Sequence, residues 1–108
     1  RSLIYGAGRL CGLYLYKESL FALAPEIPRR VVGLVDDDRN LRGRVVSGHR
    51  VLGGWEDLPG ILRRLAVDEI IIATHLTEER HAALVKFSRE RGIVVSEWLA
   101  KTIEIPGI

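Results

Sequence analysis

The feature that most constrains this chain is a set of short, nearly unbroken apolar runs, each followed by residues at helical spacing. Val31-Val32-Gly33-Leu34-Val35 and the core of "DEIIIAT" (Asp68 to Thr74) show no polar alternation. Strands of that kind are buried on both faces of a parallel sheet. Ser2 to Tyr5, Val51-Leu52 and Ile93-Val94-Val95 read as three further strands. Between them, Leu10, Leu13, Tyr14, Leu20 and Phe21 recur at three-four spacing, which predicts an amphipathic helix from Arg9 that Pro25 and Pro28 end. Trp55, Leu58, Ile61, Leu62 and Leu65 predict a second helix, with Pro59 in its first turn. Thr77 is placed to cap a third, with Glu78 and Glu79 in its first turn and Gly92 at its end. Strands alternating with helices, joined by right-handed crossovers, give an α/β fold: a doubly wound parallel sheet of about five strands in spatial order 3-2-1-4-5.

The 108 residues are enough for one domain with its own core, read here as a single domain over 1–108. The chain has no methionine and begins at Arg1 directly before a strand. The expectation is therefore a domain excised from a larger protein. Sixteen basic residues against 14 acidic leave a net charge of +2, too balanced to point to nucleic acid. No apolar run approaches the roughly 18 residues of a membrane span. Cys11 is the single cysteine, which excludes an internal disulfide and fits a reducing, cytoplasmic setting. The three histidines are scattered without metal-ligand spacing, so no metal site is expected.

The chemistry concentrates in "YGAGRLCG", where the first strand meets the first helix. In a doubly wound sheet, ligands sit beyond the carboxyl ends of the strands where the winding reverses, and this turn lies there. Gly6 permits a tight bend, Gly8 lets a diphosphate approach the backbone, and the helix behind offers unpaired amides; Arg9 adds a phosphate contact. The competing reading is a plain turn that needs positive φ angles. The third glycine of G-x-G-x-x-G falls on Cys11, with Gly12 one place late. Asp36 follows Gly8 by 28 residues, where about 20 is usual for the acid that accepts the ribose hydroxyls. Asp36 keeps the end of the second strand all the same. Asp37 joins it as a candidate, while Asp38 reads as solvated loop.

The segment from Arg39 to Arg50 holds Arg42, Arg44 and His49 and no acid. It reads either as a phosphate-holding cluster, with Arg42 as the contact, or as an exposed loop offset by the aspartates beside it. Thr74 and His75 end the fourth strand next to the glycine turn, where they could touch a diphosphate or its distal group. His49 and His81 read as ordinary polar residues.

Taken together, "LIYGAGR", "VVGLVDDD", "LRGRVVSGHRVLGG", "DEIIIAT" and "RERGIVV" make the chain resemble the nucleotide-binding, CoA-binding-like Rossmann domain of bacterial polysaccharide-biosynthesis proteins. These form the nucleoside-diphosphate-sugar epimerase/dehydratase family of capsule and O-antigen synthesis. The resemblance spans Leu3 to about Val95. It implies a Rossmann-like fold lying between membrane helices and a catalytic domain in the parent protein, on the cytoplasmic face of the membrane. By position it carries the nucleotide-cradling roles to Gly6, Gly8 and Asp36, and the end of strand four to Thr74. Cys11 stands where the family has a small Gly or Ala, and His75 where it often has Pro. The Tyr-x-x-x-Lys pair of sugar dehydratases is missing, because Leu13, Ala82 and Glu97 precede Lys17, Lys86 and Lys101 by four residues.

The expected function is thus a non-catalytic nucleotide-binding module. NAD is the first choice of cofactor, with a nucleotide-sugar or CoA as alternatives. One rival reading is a small NAD-dependent nucleotide-sugar oxidoreductase with His75 as acid–base group. Another is a vestigial spacer or homo-oligomer surface formed around Trp55 or Trp98.

Overall fold

A computed structural model of the protein describes residues 1–20 and 30–98. Strand β1 (Ser2–Tyr5) leads through the glycine turn into α1 (Arg9–Leu20). Then come β2 (Val31–Val35), a 3-10 turn at Arg39–Leu41, and a hairpin of β3 (Val45–Val46) with β4 (His49–Gly53). A second 3-10 turn, Trp55–Asp57, runs into α2 (Leu58–Arg64), followed by β5 (Glu69–Ile72), α3 (Glu78–Glu90) and β6 (Val94–Glu97). The strands lie in the order β3-β4-β2-β1-β5-β6. Every neighbouring pair is parallel except β3 with β4. Without β3 this is the expected 3-2-1-4-5 arrangement, and the architecture is Rossmann-like.

The sixth strand is a departure from the sequence expectation, which left Arg39 to Arg50 as a polar loop. Ser47 (φ 50°) and Gly48 (φ 83°) both adopt the left-handed region. A two-residue turn of that form matches the twist of two antiparallel strands. It pairs Val45 with Arg50 and Val46 with His49. The third expected strand, Val51-Leu52, is accordingly longer than its apolar residues.

Alternation along the strands builds two cores. Leu3, Tyr5, Val35, Ile70 and Ile72 face Leu58 and Ile61 of α2 and Leu84 of α3. Ile4, Leu34 and Ile71 face Ala7, Cys11 and Tyr14 on and before α1. Burial of each such aliphatic side chain contributes roughly 1.5–3 kcal/mol relative to exposure. The contact stripe of α1 differs from the one its apolar spacing predicts. Cys11 and Tyr14 are buried, while Leu13 and Tyr16 are 46% and 64% exposed. At 3.6 residues per turn, Leu13 lies about 200° around the helix from Cys11, so both cannot meet the sheet.

Three local signals act as read. The Thr77 hydroxyl accepts the Arg80 amide at 3.1 Å at the start of α3, Gly92 follows its end at φ 68°, and Pro59 sits in the first turn of α2. The expected stop of α1 at Pro25 and Pro28, the side chains of Leu20 and Phe21, and the tail 99–108 lie outside the described residues. No helix among the described residues is long and apolar enough to cross a membrane.

One polar group opposes this packing. Ser88 is fully buried on α3, and among the described residues its hydroxyl meets no partner. Ser88→Ala removes a desolvated hydroxyl and improves helix propensity, so a gain of about 1 kcal/mol is expected. Urea unfolding of the two proteins checks it, and a loss of stability in the variant would contradict the packing described.

Candidate functional site

The crossover through α1 covers one face of the sheet and those through α2 and α3 the other, so the winding reverses between β1 and β5. Gly6 occupies that point. It lies at φ 113°, with its amide donating to the Val35 carbonyl at 2.6 Å. A Cβ there would stand 2.7 Å from Thr74 Cβ and 2.8 Å from the Ala73 carbonyl oxygen. Only glycine accommodates both the conformation and the approach of β5. Gly8 is different in kind. A Cβ at Gly8 would meet nothing within 4 Å, so the space in front of it is open.

Helix α1 starts directly behind this space. The first amides of a helix have no carbonyl within it. Among the described residues no acceptor meets those of Gly8, Arg9 or Leu10. They carry the partial positive end of the helix dipole, and the Arg9 side chain is exposed beside them.

Asp36 closes the turn from the other side. Its Oδ2 accepts the Ala7 amide at 2.8 Å, and its Oδ1 accepts the Asp38 amide at 2.8 Å. The sequence assigned Asp36 to a ligand shared with the glycine turn and gave no direct hydrogen bond between the two. In the fold, the carboxylate is already the counter-charge of one turn amide. Each oxygen still has capacity for a further donor.

Asp37 departs from its assigned role. It accepts the Tyr5 hydroxyl at 2.8 and 3.0 Å, the Trp55 amide at 3.1 Å, and the Arg80 guanidinium at 3.2 Å. Arg80 also donates to the Tyr5 oxygen at 3.0 Å, and its guanidinium lies 4.7 Å from the Trp55 ring centre. Burial first, and then the hydrogen bond to Asp37, push the Tyr5 phenol upward, so it stays protonated. This cluster ties the ends of β1, β2 and β4 to the first turn of α3. No spacing in the sequence announces it, because its four members come from four separate elements.

Arg42 also turns elsewhere. Its guanidinium pairs with Asp57 at 3.0 Å, and among the described residues it has no contact with the glycine turn. Asp38 caps the following 3-10 turn through the Asn40 amide at 2.9 Å, as a loop residue. Thr74 abuts Gly6, and His75 projects exposed just beyond it. Gly6, Gly8, Arg9, Asp36 and Thr74 therefore share one end of the sheet, with His75 at its margin. Gly12 faces the hairpin turn, its Cβ position 3.7 Å from the Ser47 hydroxyl.

Cys11, in the place of a third glycine, packs fully buried between α1 and the sheet. Burial, and then the Asp36 carboxylate, push its thiol up to about 11. Both tryptophans named for an interface are engaged within the chain. Trp55 packs on Phe87 with ring centres 5.8 Å apart, and Trp98 meets Tyr14 edge-on at 5.8 Å.

No family model and no curated protein matches the sequence. Among solved structures, the chain is similar to RSP, a Rex-family repressor, at a TM-score of 0.71 and 18% identity. The match covers 98% of this chain and 48% of that one, so the chain spans about half its length. This likeness establishes the Rossmann-like fold. It also overturns the resemblance to polysaccharide-biosynthesis epimerases and dehydratases. Those motifs correspond to strand ends, a glycine turn and a buried fourth strand, which the fold itself requires.

Two outcomes follow from the turn. Gly6→Ala should lose roughly 2–4 kcal/mol, from backbone strain and the clash with Ala73–Thr74, whereas Gly8→Ala should stay within about 1 kcal/mol of the parent; thermal unfolding of both checks this. Equal losses would contradict the open space at Gly8. The Cys11 thiol should resist Ellman's reagent at pH 8 in the folded protein and react on unfolding. Its raised value makes a stability contribution that is whole below pH 9 and declines as pH rises towards 11, where the unfolded thiol ionises first.

Proposed function

We propose that this chain is a nucleotide-binding module whose ligand is NAD or a similar dinucleotide. The diphosphate lies over Gly8, where the unpaired amides of Gly8, Arg9 and Leu10 and the dipole of α1 meet its charge. The ribose hydroxyls donate to the remaining acceptor positions of Asp36. The observation that carries this reading is the pairing of opposite capacities at one turn. Free amide donors and a half-occupied carboxylate lie on either side of Ala7, 2.8 Å from it in the case of Asp36 Oδ2. A diphosphate needs the donors and a ribose needs the acceptor.

The remaining residues take supporting places. Gly6 permits the bend, Arg9 adds a guanidinium at the rim, and Thr74 with His75 borders the distal half of the ligand. Asp37 acts through the loop it clamps and touches no ligand. Arg42 is left out, since it lies with Arg50 and Arg64 at the hairpin edge and, among the described residues, has no contact with the glycine turn. Asp36 also favours NAD over its 2′-phosphorylated form by charge repulsion.

Binding rather than catalysis fits the rest of the chain. His75 is exposed and, among the described residues, forms no hydrogen bond or ion pair with the partner that acid–base transfer would need. The Tyr-x-x-x-Lys arrangement is also absent from the sequence. The activity of any larger protein that contains this domain depends on what accompanies it.

Thermal shift with NAD, NADP, coenzyme A and UDP-sugars, each at millimolar concentration, tests the reading. NAD is expected to raise the midpoint most, since a ligand at about 100 times its Kd adds roughly 2.7 kcal/mol to stability. Gly8→Ala should weaken NAD binding at least tenfold with the free protein's midpoint little changed, because the new methyl enters the diphosphate's path. Absence of a shift with all four ligands would overturn the proposal.

A further inference from the structure

Arg42, assigned to a cofactor from sequence, lines a hollow at the hairpin edge of the sheet with Arg50 and Arg64. Its floor is apolar: Val51 and Ile61 are buried, and Leu52 and Leu65 are half-buried. The hollow measures about 420 Å³, within the roughly 300–1,000 Å³ typical of small-molecule sites.

Two of the three guanidinium groups are already oriented. Asp57 accepts Arg42 at 3.0 Å through Oδ1 and is itself pinned by the Gly54 amide at 2.9 Å through Oδ2. Arg50 donates to the Gly43 carbonyl at 2.7 Å. Arg64, in the last turn of α2, is exposed and meets no acceptor among the described residues. Three cations against the Asp57 carboxylate leave a surplus of about two positive charges. A phosphate monoester carries nearly that charge with the opposite sign, and guanidinium forks match its oxygens in pairs. A monocarboxylate supplies only half the charge.

We propose that this hollow is a second ligand site, separate from the glycine turn, for a soluble phosphate monoester with an apolar or flat body. The phosphate sits among Arg42, Arg50 and Arg64, and the body covers Leu52, Ile61 and Leu65.

The test uses phenyl phosphate as probe on the full chain, read by amide chemical shifts. Saturating shifts at Gly43, Val51 and Leu52 are expected. Arg64→Gln should weaken them at least fivefold with the thermal midpoint unchanged, since Arg64 has no partner among the described residues. Gly8→Ala should leave them intact, which separates this proposal from the one above. Benzoate and inorganic phosphate should bind at least fivefold more weakly than phenyl phosphate. Shifts centred on Gly8 to Leu10, equal binding of benzoate, an unaffected Arg64→Gln protein, or binding only to phosphatidic-acid vesicles would each overturn it.

Discussion

The close approach between Gly6 and the end of β5 is the contact on which the rest of this structure depends. The backbone of β1 turns within van der Waals reach of Ala73 and Thr74, at a φ of 113°. That bend delivers the Ala7 amide to Asp36 and starts α1 at Arg9. A bulkier residue at position 6 would separate β1 from β5, and the two cores that meet along β1 would lose their register together. Close-packed interiors transmit such a shift rather than absorb it.

The charges at the carboxyl end of the sheet are arranged around that bend. Three consecutive aspartates would repel one another on an open loop. Here each has its own set of donors: Asp36 the amides of Ala7 and Asp38, Asp37 the Tyr5, Trp55 and Arg80 groups, and Asp38 the Asn40 amide. The run therefore reads as one carboxylate facing the glycine turn, one clamping the loop from behind, and one capping the turn that follows. The division of labour depends on Arg80, which arrives from α3 and offsets Asp37. The arginines are divided in a comparable way. Arg80 closes the internal cluster, Arg9 stays at the rim of the turn, and Arg42, Arg50 and Arg64 gather around an apolar hollow on the hairpin edge.

The solved repressor structure that the chain resembles shares the fold at 18% identity. That likeness sharpens what the quoted motifs mean. "VVGLV" and "EIIIA" are buried strands, and "GAG" is a strand-to-helix turn at the switch point. These are requirements of a doubly wound sheet, so they place a cleft without naming an occupant. Function has to be argued from the cleft's own groups, which here are amide donors and one partly engaged carboxylate.

Sequence alone determined the order of the five parallel strands, the caps of α3, the place of Pro59 in α2, and the glycine turn. Each of these rests on local rules: apolar runs, hydroxyl and glycine preferences at helix ends, and handed crossovers. Gly6, Gly8 and Asp36 were legible for the same reason, since they stand at strand ends. Tertiary structure decided the rest. It chose Cys11 and Tyr14 over Leu13 as the buried face of α1, because helix rotation is set by what the sheet admits. The Ser47–Gly48 hairpin was read from sequence as polar loop, because β3 counts as a strand only through pairing with β4. The partners of Asp37 and Arg42 come from distant elements, at Arg80 and Asp57, and side chains of like charge and spacing are told apart only by the neighbours that folding brings to them.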